Sequence, residues 1–107
     1  MSKLVGLKKL CWKGSLYEQA AKVIEYCKKA VELSYDDEQQ LARRRLFHGL
    51  AKALTGDIQN AIEDFKFYIE RREGQEEWKS RVQGWLNALQ KGENPFTEEV
   101  LKGLREE

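Results

Sequence analysis

Three observations predict an all-α fold. The chain is rich in Lys, Glu, Leu, Ala and Gln, all good helix formers, and it holds a single proline, Pro95, in 107 residues. Val, Ile and Thr never alternate with polar residues in the way a half-buried strand requires. Between glycine and Ser/Thr/Asp punctuation, apolar residues recur at spacings of three and four, the signature of an amphipathic helix.

The elements follow in order. A first helix is expected from about Lys3 to Lys13, ending at Gly14. Ser15 then opens a second, with Glu18 three residues on completing a capping box. Leu16, Ala20, Val23, Ile24, Cys27, Ala30 and Val31 line its apolar face, and it closes near Ser34. Asp36 or Asp37 caps a third helix bearing Leu41, Leu46, Phe47, Leu50, Ala53 and Leu54, stopped by Gly56. Asp57 caps a fourth, with Ile58, Ala61, Ile62, Phe65 and Ile69. After Gly74 a fifth carries Trp78, Val82, Trp85, Leu86 and Leu89 and ends at Gly92. Beyond the Asn94-Pro95 turn, Thr97 caps a short sixth with Val100, Leu101 and Leu104. Such short connections make successive helices antiparallel hairpins. One domain spans residues 1–107, with hairpins at about 3–34, 36–72 and 75–105.

An internal repeat runs through this pattern. The segments 6–15, 49–57 and 84–93 each place a glycine inside a helix and a second glycine, followed by a polar residue, at its end. Glycine within a helix costs about 1 kcal/mol against alanine. Gly6, Gly49 and Gly84 are therefore expected to let a facing helix press on the backbone. Gly14, Gly56 and Gly92 are expected in the left-handed conformation that terminates a helix. The unit spacings lie in the range of helical-hairpin repeats, roughly 34–47 residues.

These residues resemble a known family. Gly49-Leu-Ala-Lys-Ala-Leu-Thr-Gly-Asp57 followed by Ala61-Ile-Glu-Asp-Phe65 is similar to the core of a tetratricopeptide repeat, with Gly49, Gly56, Ala61 and Phe65 at its defining positions. Arg45, His48 and Lys52 depart from that pattern, standing where large apolar or aromatic residues are usual, and Glu73 stands near the usual proline. A narrower resemblance covers nearly the whole chain, through Leu10-Cys-Trp-Lys-Gly-Ser-Leu16, Cys27-Lys-Lys-Ala-Val31, Trp85-Leu-Asn-Ala-Leu89 and Gly92-Glu-Asn-Pro-Phe96. These strings are similar to the C-terminal tetratricopeptide-like tail of large bacterial signalling proteins, frequent in cyanobacteria, with WD-repeat propellers, NTPase modules or caspase-like domains upstream. The resemblance implies a short right-handed solenoid of about six helices and an interaction module.

Composition narrows the function classes. Charged residues make up 35% of the chain, yet the signs nearly cancel to +1. That balance lacks the basic field of a dedicated nucleic-acid binder and the polybasic stretch of a membrane anchor. No apolar run approaches the ~20 residues that span a bilayer. Residues 1–14 lack the apolar stretch and cleavage site of a signal peptide. Cys11 and Cys27 sit among apolar neighbours and are read as buried free thiols in a reducing compartment, so a cytoplasmic location is expected.

No enzyme is expected. His48 is the sole histidine, and Cys11, Cys27 and His48 lack any standard zinc spacing. The cysteines' apolar surroundings would raise a thiol pKa, which disfavours a Cys-His nucleophile. Asp36-Asp37, Glu76-Glu77 and Glu98-Glu99 stand where helices begin, a placement the helix dipole explains without catalysis. There is no phosphate-cradling or dinucleotide-binding glycine motif, and neither metal nor cofactor is predicted. Arg43, Arg44 and Arg45, with Lys52, form the densest basic patch; three consecutive residues fan around a helix, so only part can meet one partner.

Carried over from the family, the concave face is lined by the first helix of each hairpin. The middle hairpin would present Arg43, Leu46, Leu50, Ala53 and Leu54; the third would present Trp78, Arg81, Trp85, Ala88 and Leu89. That mixture suits a peptide or helix with apolar anchors and acidic flanks. Leu46 and Leu50 replace the polar carboxylate clamp of chaperone-binding members, so chaperone tails are not the expected ligand. The alternative is a structural cap or oligomerisation module, its apolar face covered by its own chain or by a second copy in a homodimer.

Overall fold

The computed structural model describes residues 11–16, 20–33 and 37–106. The expected start of the first helix, Gly6, and the cap residues Glu18, Ser34 and Asp36 lie outside them. Within the described residues all regular structure is helical. Residues 11–16 are helical (α1), followed by α2 (Ala20–Glu32), α3 (Glu38–Leu54), α4 (Ile58–Arg71), α5 (Glu76–Gln90) and α6 (Glu98–Arg105). No helix among them is long and apolar enough to cross a membrane.

Capping chemistry sets the starts of α3 and α6 and the ends of α3 and α5. The Asp37 side chain accepts the Gln40 N–H at 3.1 Å, and the Thr97 hydroxyl accepts the Val100 N–H at 3.3 Å, each satisfying an orphan donor of a first turn. Asp57 holds the N-cap position of α4 without a side-chain cap bond. Its carboxylate instead meets Asn60 Nδ2 at 2.9 Å and Lys52 Nζ at 3.2 Å. Gly56 and Gly92 end α3 and α5 with φ of +91° and +80°, as expected for left-handed terminators.

The first hairpin departs from expectation. Helical structure runs through Gly14, Ser15 and Leu16, so Gly14 does not stop α1 and Ser15 does not open α2. A Cβ on Gly14 would meet Val23 Cγ1 at 2.6 Å, so this glycine serves the close approach of α1 to α2. Cys11 and Cys27 are not free thiols: they form a disulfide, Cα atoms 4.9 Å apart, that ties α1 to α2. With the thiols joined, the cysteines no longer point to a reducing compartment.

Packing then proceeds between neighbours, α2 on α3, α3 on α4 and α4 on α5. Gly49 meets α4 closely, as expected. Gly84 does not serve this purpose, because it is exposed and an added Cβ would touch nothing within 4 Å. The third helix pair also differs from the others: α6 is attached chiefly through side chains. Phe96 is buried against Trp85 and Phe65, with ring centroids 5.0 and 6.2 Å apart. Leu101 and Leu104 enter the same core cluster as Cys11, Leu16, Leu50 and Trp85. Arg105 Nε donates to the Leu16 carbonyl at 2.6 Å, bringing the end of the chain back to α1.

Candidate functional site

The arginine triplet divides as its helical spacing requires, about 100° per residue. Arg45 turns to α4 and donates from Nε to Asp64 Oδ1 at 2.5 Å. His48 Nδ1 lies 2.8 Å from the other oxygen of Asp64, off the axis of a hydrogen bond. Asp64 is buried, so this cluster carries the structural load of a charge placed between two helices. The three departures from the repeat pattern share one explanation: Arg45 and His48 face Asp64, and Lys52 faces Asp57.

Arg43 points the other way, into a cleft of about 530 Å³. Arg43, Leu46 and Phe47 share one face of α3 at i, i+3 and i+4 and form its middle wall. Trp12 and Lys13 of α1 stand on one side. Tyr68 and Arg72 at the end of α4, with Gln75 and Trp78 at the start of α5, close the other, and Leu104 of α6 completes the lining among the described residues. The α4–α5 turn that places Arg72 and Trp78 is built on two consecutive left-handed residues, Gly74 at φ +67° and Gln75 at φ +55°.

The floor is aromatic. Trp12 lies 4.9 Å from Phe47 and 6.0 Å from Trp78, centroid to centroid. The rim is cationic. The Arg43 guanidinium sits over the Phe47 ring at 5.8 Å, and Arg72 Nη1 donates to the Gln39 carbonyl at 3.0 Å, while Arg81, outside the lining, covers Trp78 at 4.8 Å. Burial pushes the Tyr68 phenol above its ordinary pKa, while Arg72 and Arg43 pull it back down, which places both cations within electrostatic reach of its hydroxyl. Burial, then the charge of Arg43, lowers the pKa of Arg44.

The ten residues expected to line one groove do not form one surface. Arg43, Leu46 and Trp78 meet at the cleft, and Arg81 stacks behind Trp78. Leu50 and Trp85 belong to the core, at 0% and 8% exposure, and Leu46 and Leu89 are buried with them except where they border cavities. Leu54 borders a separate depression beside Ser15 and Leu101, and Leu89 another beside the Gly56-Asp57 turn. Ala53 and Ala88 are half-buried. The physical reason is that Phe96 packs on Trp85, Leu104 lies beside Leu46 and Leu101 beside Leu54, and burial of apolar area outweighs leaving a free groove. Trp12, Lys13, Phe47, Tyr68, Arg72, Gln75 and Leu104 line the cleft without having been expected there. Phe47, adjacent to Leu46 on α3 and four residues after Arg43, was the available signal.

Disulfide sulfurs are not thiolates, so Cys11 and Cys27 offer neither zinc ligands nor a nucleophile in this form. Comparison with protein-family models, curated proteins and solved structures returns no match for this chain.

Proposed function

We propose that this chain is a protein-interaction module of the tetratricopeptide type, without catalytic activity, that takes a peptide or helix of a partner protein in the cleft between α1, α3 and α5. The observation that carries this reading is the lining of the cleft, an aromatic floor under a cationic rim with no carboxylate among the described lining residues. Apolar anchors with acidic flanks match it. In this reading the helix pairs are a degenerate right-handed solenoid closed by α6, and the module serves a larger bacterial signalling protein. The disulfide moves the expected setting from a reducing cytoplasm toward an oxidising compartment, where such bonds persist.

Selection from a displayed random-peptide library on the purified chain, followed by NMR mapping of an enriched peptide, tests it. The reading predicts shifts of the Trp12 and Trp78 indole signals, with exposed Lys28, Lys29, Glu63 and Lys66 unmoved. Failure to enrich any sequence over an unrelated helical bundle, or shifts confined to those exposed positions, would sink it.

One observation favours a second reading. Leu104 of α6 borders the cleft beside Leu46, and Leu101 borders a depression beside Leu54, so part of the face expected to be the groove meets α6, as in a structural cap. Two measurements separate the readings: a structural cap enriches no peptide in the library selection, and a homodimerisation piece sediments as a dimer that Arg43→Glu dissociates, whereas an interaction module is a monomer that enriches a peptide.

A further inference from the structure

Arginine pairing divides this molecule in two. The chain has seven arginines, Arg43, Arg44, Arg45, Arg71, Arg72, Arg81 and Arg105. Arg45 pairs with Asp64, Arg71 with Glu38, Arg81 with Glu77 and Arg105 with Glu98. The other three pair with no carboxylate among the described residues, in a chain that holds 18 Asp and Glu.

Those three also gather in one place. Arg43 and Arg72 line the cleft, and Arg44 feels the repulsion of both. Arg44 is 6% exposed, with Nε and Nη1 buried and without a hydrogen-bond partner among the described residues. Asp37 is the one carboxylate that acts favourably on it, but that side chain caps α3. Grouped cations with unfilled donors in a partly buried site carry a desolvation and repulsion cost that a bound anion removes.

The form of the anion follows from the two guanidinium groups that reach the cleft. Arg43 offers a planar fork to one carboxylate and Arg72 offers the N–H groups not given to the Gln39 carbonyl, and the aromatic floor beside them takes an apolar group rather than a second layer of charge. A nucleic-acid backbone would ask for a longer basic track, which a net charge of +1 does not supply. We propose, resting on the interaction-module reading, that the cleft recognises an acidic segment of a partner protein. Two neighbouring carboxylates engage Arg43 and Arg72, and an adjacent large apolar side chain seats on Trp12, Phe47 and Trp78.

The test uses the full chain and three fluorescein-labelled peptides, read by anisotropy: Gly-Ser-Glu-Glu-Leu-Phe-Gly, the same peptide with Gln-Gln for Glu-Glu, and the same with Ser-Ser for Leu-Phe. The first is expected to bind about tenfold or more tighter than either of the others, as expected when a charge-assisted or an apolar contact is removed. Its affinity should fall as salt is raised. Arg43→Gln and Arg72→Gln should each weaken it about tenfold and erase its advantage over the Gln-Gln peptide. Lys28→Gln, at an exposed residue that does not line the cleft, should leave it unchanged. Melting curves establish that each variant is folded, and Arg43→Lys provides a charge-retaining variant expected to keep part of the affinity.

Equal binding of the Glu-Glu and Gln-Gln peptides overturns the acidic preference while leaving the interaction-module reading intact. Displacement of the peptide by a short oligouridylate at lower concentration than by unlabelled peptide assigns the cleft to nucleic acid and overturns the proposal. Absence of binding by all three peptides overturns it as well. The interaction-module reading itself then stands or falls on the library selection.

Discussion

Replacing Gly49 and Gly84 with alanine, one at a time, should have opposite effects. Both glycines lie inside helices, so alanine gains about 1 kcal/mol of helix propensity at each. At Gly49 the new Cβ would stand 2.7 and 2.9 Å from Phe65 Cε1 and Cδ1 and 3.0 Å from Asp64 Cβ, well inside the ~3.5–4.0 Å of a comfortable carbon contact. Phe65 has nowhere to go: it is fully buried, with Trp85 and Phe96 at centroid distances of 5.9 and 6.2 Å. Asp64 is held by Arg45. Overpacking of this kind costs about 1–3 kcal/mol, so Gly49→Ala should destabilise by up to about 2 kcal/mol once the propensity gain is subtracted. At ~4–8 °C per kcal/mol for a domain of this size, Tm falls by several degrees. At Gly84 no atom lies within 4 Å of the added Cβ, and the propensity gain stands alone. Urea unfolding followed by far-ultraviolet circular dichroism gives both values. If the two variants are stabilised alike, α3 and α4 do not meet closely at Gly49.

Reduction of the Cys11–Cys27 bridge, which spans 16 residues, should cost about 3 kcal/mol on the chain-entropy model; a Tm indifferent to reductant would show that the thiols are free. Leu50→Glu should unfold the chain rather than merely block a ligand, because Leu50 is 0% exposed and a buried unpaired carboxylate costs about 4 kcal/mol or more; retained helical dichroism would place Leu50 at a surface. The raised Tyr68 pKa makes a pH prediction. The unfolded chain loses its phenolic proton first, so the stability from neutral Tyr68 is whole below pH ~10 and lost as pH rises through the higher folded value. Tyr68→Phe should flatten this part of the alkaline stability loss, and a wild-type slope unchanged by the variant would refute it.

Much of the architecture was legible because it rests on local chemistry. Asp37 and Thr97 cap helices, and Gly56 and Gly92 end them, for reasons confined to one turn of backbone. The site was legible only in part. Spacing placed Arg43, Leu46 and Trp78 on helix faces, but could not say which faces the chain would cover. The polar departures from the repeat, Arg45 and His48, were visible as departures, yet their meaning lay in Asp64 on another helix.

By itself, then, the sequence determined the amphipathic helices and their order, the ends marked by Asp37, Gly56, Asp57, Gly92 and Thr97, and a narrow pinch at Gly49, since propensity, capping and helical period act over a few residues. The tertiary structure alone decided that Cys11 meets Cys27, that α6 returns to α1 through Arg105, and that Leu50 and Trp85 are core rather than groove. It also decided that Arg43 and Arg72, distant in the chain, open on one aromatic cleft. These outcomes depend on which apolar faces find each other once the helices collapse, a competition among long-range contacts that helical period and capping cannot rank.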